Sequence, residues 1–269
     1  MKKWIFILAV LLAGCEEQIP WDLQSSDLRA LVVDGMITNE RKAHRVTLTL
    51  PVSGMNEDPV PVTGAVVAIT DGDTVYLLKE IPEGSGIYYT DSTVQGVINN
   101  AYYLYVKAGG HEFTSNAARM VPVSPMEDFQ ARQVQQNPRL YEMVYRESAD
   151  PSMMQVYMDW SYLVPPEQKE DARAWLRYYT LKSIDVNELF KPAAEQVLFP
   201  AGTFIYRRKL SLSPAYQSFL RSLMMETVWK GGVFDVLPAN VQTNMNGGAL
   251  GFFAACSVVT DTLVFQPPH

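Results

Sequence analysis

Ala65-Val-Val-Ala-Ile-Thr70-Asp-Gly-Asp-Thr74-Val-Tyr-Leu-Leu-Lys79 decides the fold class. Two short runs of β-branched and aromatic residues flank Asp71-Gly72-Asp73, the composition of a tight hairpin turn. The same grammar continues outward. In His44–Leu50, Val46, Leu48 and Leu50 face one way and Arg45, Thr47 and Thr49 the other. Ala101–Lys107 sets Tyr102, Leu104 and Val106 on one face, and Ala108-Gly109-Gly110 turns it into His111–Ala118. Leu28–Thr38 and Gly86–Ser92 complete the set. About seven strands with no helical period between them predict an antiparallel β-sandwich over residues 28–122. Pro122 and Pro125 mark its end.

Residues 123–269 read as a β-rich α+β unit with one or two short helices. Gln155–Val164 and Ala172–Ile184 are expected strands, joined by the charged loop Pro165–Asp171; Thr203–Leu210 and Val258–Phe265 are two more. Ser213-Pro214 is a helix start, with serine as N-cap and proline in the first turn. Tyr216, Phe219, Leu220, Leu223 and Thr227 would form its apolar face, and Gly231-Gly232 would end it. Val186–Gln196 has room for a short helix broken at Pro192.

Of 269 residues, 48% are hydrophobic and 19% charged, a balance foreign to disordered, collagen-like or polytopic membrane chains. A net charge of −7 argues against a broad basic face for nucleic acid. Three histidines and two cysteines leave little material for a histidine-rich metal site or a disulfide framework, and no cofactor is expected. At the N-terminus, Lys2 and Lys3 precede the apolar run Trp4–Ala13, too short to span a bilayer. Leu12-Ala13-Gly14-Cys15 resembles the bacterial lipobox. Residues 1–14 are then a cleaved leader, Cys15 the lipidated residue (palmitate among its acyl chains), and residues 15–27 a tether. Acyl chains anchor without spanning, each buried CH₂ contributing ~0.8 kcal/mol. Glu16 and Glu17 resemble the surface-export signal of Bacteroidota lipoproteins, which predicts the cell-surface side of the outer membrane.

Seven stretches carry a family resemblance. Leu31-Val-Val-Asp-Gly35-Met-Ile-Thr38-Asn-Glu40 and Pro61-Val-Thr-Gly64-Ala-Val lie near the start. Leu212-Ser-Pro-Ala-Tyr216-Gln-Ser-Phe-Leu220 and Gly232-Val-Phe234-Asp235 lie near the end. With Pro238-Ala-Asn240, Thr243-Asn244 and Gly248-Ala-Leu-Gly251-Phe-Phe253, they resemble a Bacteroidota lipoprotein family catalogued as domain of unknown function 4249. The resemblance implies an immunoglobulin-like or transthyretin-like N-terminal sandwich and companionship with a TonB-dependent β-barrel transporter. It supplies no catalytic residues. In physical terms Gly35, Gly64 and Gly251 would permit close strand packing or unusual dihedrals, Phe234, Phe252 and Phe253 would anchor the core, and Asn240 and Asn244 would cap or turn the backbone.

Catalytic constellations are sparse. No Gly-x-Ser-x-Gly, Ser-x-x-Lys or Cys-x-x-Cys occurs. His44 and His111 read as exposed strand residues, His111-Glu112 lacks the second histidine of a zinc helix because position 115 is serine, and His269 is terminal. Gly247–Gly251 lacks the Lys-Ser/Thr of a phosphate loop, Asp71-Gly72-Asp73 too few ligands for calcium, and Glu16/Glu17, Glu127/Asp128 and Glu170/Asp171 read as solvated surface. Cys256 sits in an apolar stretch as a small buried hydrophobe. For binding, Trp160, Tyr162, Trp175, Tyr178 and Tyr179 offer aromatic surface, with sheet packing as the competing account. Arg207-Arg208-Lys209 offers a basic island for a ligand, an acidic partner or lipid headgroups, or else a solvated strand face. The expected function is a non-enzymatic accessory or ligand-capture subunit of a TonB-dependent transporter, with a structural or adhesive envelope subunit as the alternative.

Overall fold

Alternation of apolar and polar residues, suited to a half-buried pleated surface, carries most of the architecture. The structure, a computed structural model, describes residues 31–52, 57–181, 197–227 and 241–267. The leader, Cys15, Glu16, Glu17, the tether, the 186–196 segment, Gly231, Gly232, Phe234, Asn240 and His269 lie outside the described residues. Strands β1 (Val32–Thr38), β2 (Arg45–Thr49), β3 (Val66–Thr70), β4 (Val75–Leu77), β5 (Lys79–Glu80), β6 (Ile87–Tyr89), β7 (Ala101–Ala108), β8 (His111–Thr114) and β9 (Ala118–Arg119) come first. Then follow β10 (Ala131–Val134), β11 (Asn137–Met143), β12 (Ser152–Asp159), β13 (Arg173–Thr180), β14 (Leu198–Pro200), β15 (Phe204–Ser211), helix α1 (Pro214–Thr227), β16 (Leu250–Cys256) and β17 (Val258–Val264). The chain is mainly β, as its alternation predicts.

The hairpin at Asp71-Gly72-Asp73 is present. Thr70 pairs with Val75, and Asp71 Oδ1 accepts the Thr74 N–H at 2.9 Å. Sheet β4-β3-β7-β8 faces sheet β16-β1-β2-β6-β5, and the two share one core that includes Val33, Ile37, Leu48, Ile69, Leu104, Phe113 and Phe253.

Residues 250–256, expected to belong to the second unit and not to form a strand, make up β16. β16 instead joins the first sheet, parallel to β1, with Val32 opposite Leu250 and Thr38 opposite Cys256. An all-antiparallel sandwich is corrected on this edge. Gly251 makes the pairing possible. Its φ is +86°, and a Cβ there would lie 2.0 Å from the Val33 carbonyl oxygen. Gly35 packs closely too, its missing Cβ lying 3.0 Å from Val46 Cγ2, whereas Gly64 takes a positive φ in open space. Asn244 holds the other side of β16: its amide donates to Phe253 O at 2.8 Å and accepts from Phe253 N at 2.9 Å.

β16 serves two cores because successive side chains point to opposite faces. Phe253 and Ala255 enter the sandwich. Phe252, Ala254 and Cys256 face α1 and the ends of β12 and β15. Helix α1 begins as its sequence predicts, with the Tyr216 N–H on Ser213 Oγ at 3.4 Å. Its packed face is Tyr216, Phe219, Leu220 and Met224; Leu223, assigned to that face by the sequence, is 36% exposed. Tyr216, Phe219 and Phe252 stack at 4.9–6.1 Å. Cys256 is fully buried as expected, and burial pushes its thiol up to about 12.

Only Ser257 separates β16 from β17, which belongs to a separate sheet, β13-β12-β15-β17. Buried Ser257 exchanges backbone-linked bonds with Ser211 at 2.9 Å and donates to Val121 O at 2.7 Å. Asn39 clasps the first residue of β17, accepting from Val258 N at 2.6 Å and donating to Val258 O at 3.3 Å. A third sheet, β10-β11-β14, was not foreseen, since Asn137-Pro-Arg lacks strand-like composition. It is held by packing: Phe129, Tyr141 and Phe199 surround Phe265 at 4.9–5.8 Å.

His44 overturns its expected exposure. It is 1% exposed, lies just before β2, and bridges the last residue of β1 to Val94. Nδ1 accepts the Thr38 N–H at 3.4 Å while Nε2–H donates to Val94 O at 3.2 Å, an arrangement that fits the neutral ring. His111 does remain exposed, at the start of β8.

Two outcomes follow from this packing. Gly251→Ala should lower the urea midpoint by the equivalent of at least ~2 kcal/mol, because strain and backbone clash combine. Gly64→Ala should lower it less; equal losses at the two sites would refute the account of Gly251. Burial, aided by Lys42, depresses His44 from 6.5 to about 4. The unfolded chain therefore takes up this proton first as pH falls. The contribution is complete above pH 6.5 and is lost on descent to pH 4, an effect of ~3 kcal/mol. His44→Gln should flatten the stability profile in that window.

Candidate ligand-binding face

Each strand of the β13-β12-β15-β17 sheet sends alternate residues to opposite faces, and the two faces differ in chemistry. The inner face, Met154, Val156, Met158, Leu176 and Ile205, packs against the three-stranded sheet. Arg207 and Lys209 share that face by alternation, and neither is available to a partner. Lys209 is 0% exposed and donates to Ser124 Oγ (2.8 Å), Pro125 O (2.9 Å) and Glu127 Oε1 (2.6 Å). Arg207 pairs with Asp261, donates to Glu127 O at 2.8 Å, and lies 5.5 Å from the centre of the Phe129 ring. These two cations bind the 124–129 segment to the sheet. Glu127, expected on solvated surface, is part of this buried pairing, and its carboxyl is held below the usual range against the opposing effect of burial. A cavity of about 30 Å³ beside Glu127 and Arg207 is lined by Phe129, Met143, Tyr145 and Val156.

The outer face is covered by α1 and β16 at one end, over Met153, Tyr179 and Leu210, and is open at the other. Arg173, Trp175, Arg177, Thr260, Thr262 and Val264 are exposed along its two edge strands. Register sets Trp175 opposite Tyr157, Tyr157 opposite Tyr206, and Tyr206 opposite Thr262. Three aromatic side chains therefore stand in one row across β13, β12 and β15. Trp175 is 68% exposed, with its ring 4.7 Å from that of Tyr157. Phe204 and Val264 extend the apolar area on the next row. Beside them, Asp159 accepts from the Tyr157 hydroxyl at 2.9 Å and from Arg173 Nε at 3.2 Å. The Ser161 hydroxyl and backbone N–H, with Tyr157 and Arg173, hold the Asp159 carboxyl at about 2, so it stays charged. On the other flank stand Arg177, Gln155, Arg208 and Thr260. Arg208 is itself paired, with Glu40 from the loop after β1 and with Gln155 Oε1 at 2.8 Å.

The aromatic set expected from sequence is thus divided. Trp175 stands on the open face. Tyr178 points the other way and stacks on Tyr145 at 4.5 Å. Trp160 packs into the inner core, Tyr179 packs beneath α1, and Tyr162 lies on a 3-10 turn, bonded to Gly202 O. Arg207 and Arg208, read from the sequence as a partner contact or else a solvated strand face, are engaged in ion pairs, Arg207 with Asp261 on the inner face and the partly exposed Arg208 with Glu40. Tyr157, Tyr206 and Phe204 were missed. The alternation was readable within each strand, but only register puts them beside Trp175.

Among the described residues, no group of three or more His, Cys, Asp or Glu is placed to hold a metal ion. A shallow depression of about 430 Å³ beside β4 is lined by Val75, Leu77, Asp91 and Thr93. The family model described as Domain of unknown function (DUF4249) matches residues 16–262. The chain belongs to this family. No curated protein matches the DUF4249 chain. Within the DUF4249 match, Asn39 and Glu40 join the β1-containing sheet to the four-stranded sheet, Asn244 and Gly251 hold β16 in place, and the aromatic row lies outside the stretches that carry the resemblance.

The Lys209 cluster gives a direct test. Lys209→Ala should lower unfolding free energy by roughly 3 kcal/mol by leaving the Glu127 carboxylate without its cation. Lys209→Met with Glu127→Gln should recover much of that. Equal instability of the single and double variants in urea titrations would show that the ion pair is not the cause.

Proposed function

We propose that this protein is a lipid-anchored lipoprotein of the outer membrane, displayed at the cell surface. There it acts as a non-enzymatic accessory subunit that captures ligand for a TonB-dependent β-barrel transporter. The observation that carries the capture role is the open aromatic row: a tryptophan 68% exposed on a sheet face fixed by two neighbouring strands. Exposed aromatic clusters mark binding surfaces because they offer large apolar area with little side-chain entropy to lose. The anchor rests on Leu12-Ala13-Gly14-Cys15, and the surface location on Glu16 and Glu17. The Bacteroidota origin and the barrel partner rest on the lipoprotein resemblance.

The test is a tagged pull-down from outer membranes in mild detergent. A barrel recovered in stoichiometric amount supports the accessory role. Recovery of other envelope proteins, or of this protein alone, overturns it in favour of a structural or adhesive subunit. Cys15→Ala should move the protein out of the membrane fraction; continued membrane retention with an intact leader would refute lipid anchoring.

A further inference from the structure

We propose that the outer face of the β13-β12-β15-β17 sheet is a carbohydrate site that takes a neutral glycan chain across Trp175, Tyr157 and Tyr206. The inference deepens the capture reading and rests on it for its biological use. Strand spacing of about 4.8 Å puts the three rings over roughly 10 Å, the length of two pyranose units. The C–H face of a pyranose is apolar and flat, while its hydroxyls radiate from the ring edge. The sheet offers the matching pattern: a row of rings with hydrogen-bonding groups alongside. Arg177, Gln155 and Thr260 stand on one flank, and Arg173 and Asp159 on the other.

The charges on this face point to a neutral ligand. The rings that would bear the ligand carry no charge; on the flanks Asp159 is paired with Arg173 and Glu40 with Arg208 and Lys42, while Arg177 adds guanidinium donors that can meet sugar hydroxyls. Other occupants fit less well. An extended peptide draws its main-chain bonds from a free strand edge, whereas the rings lie on the sheet's face and reach its two central strands. A stable protein partner covers about 800 Å² per side, a patch far wider than a row of rings roughly 10 Å long. Nucleic acid needs a basic face, on a chain whose net charge is −7.

The experiment uses the full-length protein in a polyoxyethylene detergent, which carries no sugar. It is titrated with maltohexaose, cellohexaose, xylohexaose and mannohexaose up to about 10 mM, followed by tryptophan fluorescence and calorimetry. At least one should bind. Trp175→Ala and Tyr206→Ala should weaken that binding about tenfold or more, while Tyr103→Ala, on an exposed face of the sandwich, leaves it unchanged. Raising salt from about 50 to 500 mM should also leave it unchanged, as for an uncharged ligand. Unaltered thermal midpoints establish that the variants are folded. Binding by none of the four sugars, binding insensitive to Trp175→Ala, or a Trp175-dependent response to a tryptic peptide mixture and not to sugars would each overturn the proposal. The titration needs no transporter, so failure here and failure of the barrel pull-down are separate results.

Discussion

The parallel pairing of β16 with β1 is the constraint from which the remaining geometry follows. One face of β16 completes the sandwich core through Phe253, and the other roofs the α1 core through Phe252. Loss of this strand would open two cores together, so its contribution greatly exceeds that of its own backbone bonds. The close approach depends on the absence of a side chain at Gly251, and Asn244 satisfies backbone groups that would otherwise be left as a sheet edge. Edges of this kind are points where sheets recruit unintended partners, and a side-chain amide closes this one without adding another strand.

Polar residues then fix how the sandwich meets the four-stranded sheet. Asn39 bonds both backbone groups of Val258, Glu40 pairs with Arg208, and Ser257 links Ser211 to Val121. Each bond contributes modestly, about 1 kcal/mol net, but their directionality selects one orientation where apolar packing alone would accept several. On the far side of the sheet, Lys209 and Arg207 take the same part for the 124–129 segment. A basic tripeptide that looks like a surface patch in one dimension is thereby divided between two faces. Both lysine and arginine on the inner face have become internal fasteners.

How much of this was legible depends on the range of the interaction involved. Hairpins such as Asp71-Gly72-Asp73 and the Ser213-Pro214 helix start are local and were readable, as was the buried fate of Cys256. Strand β16 was not, because its pairing depends on residues far away in the chain and Gly251, with Gly247 and Gly248 just before it, dilutes any strand signature. The β11 strand was hidden by Asn137-Pro-Arg, with aromatic packing overriding poor local preference. The aromatic face was half legible. Trp175 could be picked out, but the choice between Tyr178, which turns inward, and Tyr157 required knowledge of which strands pair and which face is covered.

The order of the chain gives the β1–β16 pair a further meaning. A polypeptide emerges N-terminus first, from the ribosome or through any pore. β1 is thus presented well before its parallel neighbour, which appears only after every strand from β2 to β15 and helix α1. Until Leu250–Cys256 arrives, the first sheet has an unsatisfied border and the sandwich lacks Phe253. Such distant pairings are slow to form and leave apolar surface open to wrong associations in the meantime. Both cores share this one strand as a wall, with Phe252 and Phe253 entering them from its opposite sides.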